Sequence, residues 1–320
     1  MAQGAATLIA IITIIAPVFL LIVIGWGLVR WRFFSASALN EVNRLCYWVA
    51  LPAALFHGIS GAEPDFRAAG GLLTVILTAT LLGMVLAWLF AGLSGMARQA
   101  RGAFIQGMFR GNMVFVGLPV VLYALDANPA AGDGGAQSAL LTIGPMIAIY
   151  NVLGVFVLLF AGNDVNRRVI RAAMIGMAAN PLLLACIAGL LMSISGASLP
   201  VMLDRTVAAT GQMALPLALI GVGGALALTR IQGHFGLSLI GAAMKVVLLP
   251  GIGFALAVWI GLSAEYTLIA VIMLATPTAA AAYVLTRQLK GDEALVSGII
   301  LLSHVVAVPA FMVYLLLAGL

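Results

Sequence analysis

Apolar residues run along this chain in long blocks, not in the alternation of a half-buried strand. Ten stretches stand out, near 6–29, 39–60, 70–93, 102–125, 137–160, 170–192, 203–228, 235–260, 264–287 and 295–318. Each is close to the roughly 20 residues that carry a helix across about 30 Å of hydrocarbon. They are too uniformly apolar to alternate between lipid and a lumen, as barrel strands do. The pattern predicts an all-α membrane protein with ten transmembrane helices. The first stretch reads as a membrane helix and not a signal peptide, because no basic residue precedes it and Arg30-Trp31-Arg32 follows as a stop.

The second, fourth, seventh and ninth stretches are the least uniform. The fourth contains Gln106-Gly107-Met108-Phe109-Arg110-Gly111-Asn112 and then Gly117-Leu118-Pro119. The ninth contains Thr276-Pro277-Thr278 followed by four alanines. Proline removes a backbone donor and displaces a carbonyl, and glycine weakens a helix. In lipid the freed groups must find protein, water or ligand. The sequence therefore predicts breaks in helices 4 and 9, with Asn112, Thr276 and Thr278 placed to satisfy the exposed backbone. Gly117, Pro119, Pro52 and Pro216 are candidate hinge positions.

Composition agrees with a membrane setting. Hydrophobic residues make up 64% of the chain and charged residues 8%, against roughly 45–50% and 25% in soluble domains. The net charge of +5 does not point to nucleic acid, since no basic run exceeds Arg167-Arg168. Cys46 and Cys186 both lie in apolar stretches and read as small core residues, not a disulfide or metal site. Basic residues are unevenly shared between loops. Arg30, Arg32, Arg44, Arg98, Arg101, Arg167, Arg168, Arg171, Arg230, Arg287 and Lys290 follow odd-numbered helices, whereas only Arg67 and Arg205 follow even-numbered ones. The positive-inside rule makes the first group cytoplasmic and puts both termini outside.

A shift of 164 residues superimposes the punctuation of the two halves. Pro17 falls on Pro181, Ala50-Leu51-Pro52 on Ala214-Leu215-Pro216, Pro145 on Pro309 and Tyr150 on Tyr314. Five helices per copy is an odd number, so residues 1–160 and 161–320 form inverted repeats. Inverted repeats with interrupted helices near the midplane are the sequence mark of secondary transporters.

Two cations fall inside spans, Arg110 in helix 4 and Lys245 in helix 8, with no acidic residue at comparable depth. Unpaired intramembrane cations point to a polar cavity that receives an anion. Exposed helix N-termini at the two breaks attract anions as well. The candidate substrate-binding set is therefore Asn112, Gly111, Thr276, Pro277, Thr278, Lys245, Arg110 and Gln212. Asn180-Pro181 reads as a kink, Asn151 as an interhelical bond, and His57, His234 and His304 as structural or interfacial residues. No catalytic residue, metal ligand or cofactor is predicted, because no HExxH, Gly-x-Ser-x-Gly or intramembrane Asp pair occurs.

These pieces resemble the auxin efflux carrier family. The residues that carry the likeness are Leu39-Asn40 through Leu51-Pro52, Asn112 through Gly117-Leu118-Pro119, Asn180-Pro181, Ala214-Leu215-Pro216-Leu217-Ala218-Leu219 and Pro277-Thr278. The resemblance implies a fold similar to that of bile acid/sodium symporters. Helices 1, 2, 6 and 7 would form a scaffold, and helices 3–5 and 8–10 a transport unit. Helices 4 and 9 would cross at the substrate, and two copies would pair through the scaffold. Gly111 stands where plant members have proline, and the long central loop of many plant members is absent.

The resulting expectation is a secondary transporter of the bacterial inner membrane. It would move a small carboxylate, a dicarboxylate such as malonate, by alternating access. A sodium-coupled bile-acid-like carrier and an anion channel are the alternatives. Coupling to Na+ or H+ stays open at this point.

Overall fold

The apolar stretches are helices. The computed structural model describes residues 2–61, 65–127, 134–161, 171, 175, 179–229 and 234–317, with only the backbone of 2–8 and 10. Arg167, Arg168 and Arg230, counted above among the cytoplasmic residues, lie outside them. In chain order the helices are α1 (Ala2–Arg30), α2 (Ala36–Leu45), α3 (Leu51–Ser60), α4 (Phe66–Leu93), α5 (Arg98–Phe109), α6 (Leu118–Asp126), α7 (Gly134–Ala161) and α8 (Pro181–Ser195). Then follow α9 (Val201–Gln212), α10 (Ala214–Leu228), α11 (Phe235–Ala243), α12 (Leu249–Trp259), α13 (Ala264–Ala275), α14 (Ala281–Gln288) and α15 (Glu293–Leu317). No strand occurs among the described residues, only one isolated bridge between Gly111 and Thr278.

Among the described residues, six helices are long and apolar enough to cross a membrane: Ile11–Arg30, Phe66–Leu93, Gly134–Ala161, Val201–Leu228, Phe235–Trp259 and Glu293–Leu317. The remaining four predicted stretches fall short for separate reasons. The second begins with the polar helix α2. The fourth and ninth are interrupted. The sixth is described from Ala179 onward, apart from Arg171 and Ile175. This stretch is interrupted at Asn180: Arg171 and Ile175 are helical, Ala179 and Asn180 are not, and the helix resumes at Pro181. Asn180 Oδ1 accepts from the N–H of Leu182 and Leu183 at 2.9 and 3.4 Å, capping α8 with Pro181 at its first position.

Proline acts in two ways here. Pro17, Pro145 and Pro309 sit inside continuous helices. Pro52, Pro119 and Pro250 instead follow single π turns, Cys46–Ala50, Met113–Gly117 and Met244–Leu248. A π turn inserts one residue, which lets the chain pass the carbonyl that a proline ring would strike. Pro52 is thus accommodated without stopping the helix. Near Pro216 the chain makes one turn residue, Met213, between α9 and α10.

Packing divides the described helices into two groups. In the first, α1 lies along α10, and α3 lies against α8 and α9. Gly25 meets the backbone of Ile220, and Gly223 meets that of Ile22 and Trp26. Close backbone approach through small residues is how helices associate when lipid offers no hydrophobic drive. In the second group, α4, α5, α7 and α11 to α15 pack on one another. Both broken helices belong to this second group.

Candidate functional site

Helix α5 stops at Phe109, and Arg110 to Asn112 leave helical geometry before the π turn begins. Helix α13 stops at Ala275, and residues 276–280 are irregular before α14. The two interruptions face each other as an antiparallel pair. Asn112 donates its N–H to the carbonyl of Pro277 at 2.8 Å, and Ala279 donates to the carbonyl of Arg110 at 2.9 Å. Each break thereby satisfies backbone groups of the other, and a lone unpaired group there costs about 2–7 kcal/mol. Gly111 permits the approach. A Cβ on it would lie 2.5 Å from Thr276 Oγ1 and 3.1 Å from Lys245 Nζ.

The four broken ends are finished differently. A broken helix exposes carbonyls at its C-terminal end and N–H groups at its N-terminal end. Protein donors reach carbonyls at both C-terminal ends. Lys245 Nζ donates to Leu274 O at 2.5 Å, Thr276 Oγ1 to Met273 O at 2.8 Å, and Thr278 Oγ1 to Gly107 O at 2.6 Å. Ser303 Oγ accepts from the N–H of Thr278 at 2.9 Å. At the N-terminal ends, Asn112 Oδ1 accepts from Phe115 N at 3.3 Å. Helix α14 has no side-chain cap, and its cap residue Ala280 and first residue Ala281 are exposed.

Two cavities reach the crossing. One, of about 530 Å³, is lined by Tyr47, Arg110, Gly111, Asn112, Tyr150, Asn151, Asn180, Ala281 and Gln288 among others. The other, of about 690 Å³, is lined by Asn40, Asn43, Asn112, Ala280, Tyr283, Glu293, Ser297 and His304 among others. Asn112 borders both, and the two N-terminal residues of α14 divide between them. Arg110 is fixed by a bond from Nη2 to Asn151 Oδ1 at 2.5 Å, while its Nη1 has no partner among the described residues. The linings include Asn43, beside Arg44 near the end of α2, and Gln288, beside Arg287 at the end of α14.

The candidate residues thus separate by position. Arg110, Gly111 and Asn112 border a cavity. Thr276, Pro277, Thr278 and Lys245 lie inside the crossing and border neither cavity, and Lys245 is wholly buried. Gly117 closes the π turn after Asn112, and Pro119 stands at the head of α6. Pro52 and Pro216 lie in the first packing group and border neither cavity. Gln212 is exposed at the end of α9 and borders neither cavity.

Sequence reasoning did not single out Tyr47, Ser303 or His304 for the site. Glu293, Ser297 and His304 recur at helical spacing on one face of an apolar helix, and that stripe was a readable signal. Among the described residues no group of three or more His, Cys, Asp or Glu could hold a metal ion. Cys46 and Cys186 are buried and unbonded to each other.

Long apolar helices around a discontinuous polar centre define an integral membrane protein of the transport class. The family described as membrane transport protein matches residues 10–315. The chain belongs to this family, that of the auxin efflux carriers. No curated protein matches the chain.

Proposed function

We propose that this transporter is a secondary carrier for a small organic anion, a dicarboxylate such as malonate. The observation that carries the reading is the uneven finish of the crossing. Its carbonyl ends, which would suit a metal cation, are occupied by Lys245, Thr276 and Thr278. Its α14 end has no side-chain cap; Ala282 and Tyr283 bond back to the carbonyls of Ala279 and Ala280, which leaves the N–H groups of Ala280 and Ala281 for a ligand. A helix N-terminus carries roughly half a positive charge and favours an anion. Arg110 adds a full charge in the adjoining cavity. One carboxylate would sit at the α14 terminus near Asn112, and the other would meet Arg110 Nη1.

The ten-span reading completes the mechanism. Residues 1–160 and 161–320 act as inverted repeats, which supply two similar conformations open to opposite sides. Helices of the first packing group serve as scaffold and as the face for a homodimer. The second group moves as the transport unit and carries the crossing. Both termini lie outside a bacterial inner membrane, so the present cavities open to the cytoplasm. Pairs Pro145/Pro309 and Tyr150/Tyr314 support the repeat. Both prolines ride inside long helices, and both tyrosines reach the facing helix of their own half, at Thr80 and at Val247.

The test is uptake of radiolabelled malonate by proteoliposomes. Asn112→Ala is expected to abolish uptake while membrane insertion is intact. Normal uptake by that variant removes the site assignment.

A further inference from the structure

Two cavities converge on Asn112, and their chemistry differs. The smaller contains Arg110. The larger contains a carboxylate, Glu293, at its outer end and an imidazole, His304, further in. Glu293, Ser297 and His304 occupy one stripe of α15, at intervals of four and seven residues. Three helical turns separate its ends, about 16 Å at 1.5 Å per residue. Glu293 is 44% exposed in its side chain and accepts from the Tyr283 hydroxyl at 2.8 Å. His304 is 6% exposed.

The ring of His304 is fixed and incompletely used. Nδ1 lies 2.8 Å from the carbonyl of Ile300, which can only accept, so Nδ1 carries the hydrogen. In the neutral ring Nε2 is then a lone-pair acceptor. It has no partner among the described residues. A buried acceptor without a donor is costly, and such groups in native proteins call for a functional reason. Inside a membrane this holds with more force.

We propose that His304 is a proton-binding site that couples proton movement to anion transport. This rests on the anion-carrier reading given above. Nε2, closed to solvent in this conformation, takes a proton from water that reaches it past Glu293 and Ser297 as the transport unit moves, while Nδ1–H stays on Ile300. The imidazolium returns that proton to water when the site opens on the other side. A carboxylate at Asn112 and a proton on His304 attract each other, so each favours binding of the other.

The charged surroundings leave His304 without a competing partner. Among described groups on elements packed against α15, Tyr283 and Arg287 on α14 stand with Glu293 at the cavity mouth, Arg287 Nε being 4.0 Å from Glu293 Oε2. Arg30 on α1, Arg98, Arg101 and Arg110 on α5, Lys245 beside α11, His234 at its start, and Glu265 and Tyr266 on α13 do not line this cavity. Nor do Asp292 and Tyr314, which flank the stripe on its own side of the chain.

Two measurements on the full-length protein test the proposal. Ring nitrogen NMR of histidine-labelled protein, assigned by loss of one signal in His304→Gln, reads the site without transport. The expected result is an Nδ1-protonated neutral ring at pH 8 that gains a second proton as pH falls, at a higher pH when malonate is present. A ring that stays neutral down to pH 5, with and without malonate, overturns the proposal. Titration that ignores malonate leaves the proton site standing and counts against malonate as substrate. In proteoliposomes at zero membrane potential, one coupled proton gives about tenfold malonate accumulation per pH unit. His304→Gln, compared with its own rate at equal pH, is expected to lose that response. Accumulation by His304→Gln that still follows the pH gradient overturns the coupling role. Absence of malonate counterflow at equal pH sinks the malonate reading alone, and the NMR titration then decides His304.

Discussion

The breaks after α5 and after α13 are made of different parts. The first keeps its own cap, since Asn112 bonds Phe115 three residues on and leaves Arg110 tied to Asn151 of α7. The second is held largely from outside, by Lys245 next to α11 and Ser303 of α15. Its α14 end is left without a side-chain cap. The difference bears on where the proposed anion would bind. A helix end closed by its own residues is a structural solution, whereas the α14 terminus, uncapped by any side chain and beside a cavity, is the end that the proposed anion would complete.

Substitutions can break this contrast at graded strength. Gly111→Ala has the largest expected effect. Its new methyl strikes Thr276 and Lys245, and overpacking of this kind costs about 1–3 kcal/mol. Loss of uptake should accompany a fall in thermal stability of the purified protein. Thr278→Val comes next, because it strands the Gly107 carbonyl at a cost of about 1–3 kcal/mol. Thr276→Val should cost less, about 0.5–1.5 kcal/mol, since Thr276 bonds only within its own helix end. Equal losses in the two threonine variants would mean that the bond joining the two broken helices is no stronger a tie than a local one. Gln212→Ala is expected to change stability by no more than about 0.5 kcal/mol and to leave uptake as it is. Reduced uptake by that variant would bring α9 back into the site.

Much of this arrangement was legible before any coordinates. Gly111, Asn112, Pro277 and Thr278 combine helix breakers with side chains that can bond freed backbone in mid-span, so the breaks could be placed from them. That the breaks meet was legible through their matching places in the chain and through the family resemblance, not from the residues of either break. Lys245 was read as a cation awaiting an anion, because no carboxylate lay near it in sequence. Its partner is the carbonyl of Leu274, and backbone carbonyls leave no trace in a residue pattern. A broken helix exposes acceptors as well as donors, so a cation beside it can be held by a carbonyl without any anion. The π turns before Pro52, Pro119 and Pro250 also went unseen. Pro17 and Pro145 look the same in sequence yet stay inside ordinary helices. Gln212 shows the converse limit, since the facing of a polar residue around an otherwise apolar helix depends on packing that periodicity does not record.

Ala280 offers the most direct test of the open helix end. Replacing it by aspartate puts a carboxylate at the start of α14, where an acidic group stabilises a helix by about 0.3–1 kcal/mol. The tethered carboxylate would occupy the place assigned to the transported anion. Ala280→Asp is therefore expected to be at least as heat-stable as the natural protein and to take up no malonate. A variant that transports normally, or that is destabilised by the added carboxylate, would contradict an anion site at that terminus.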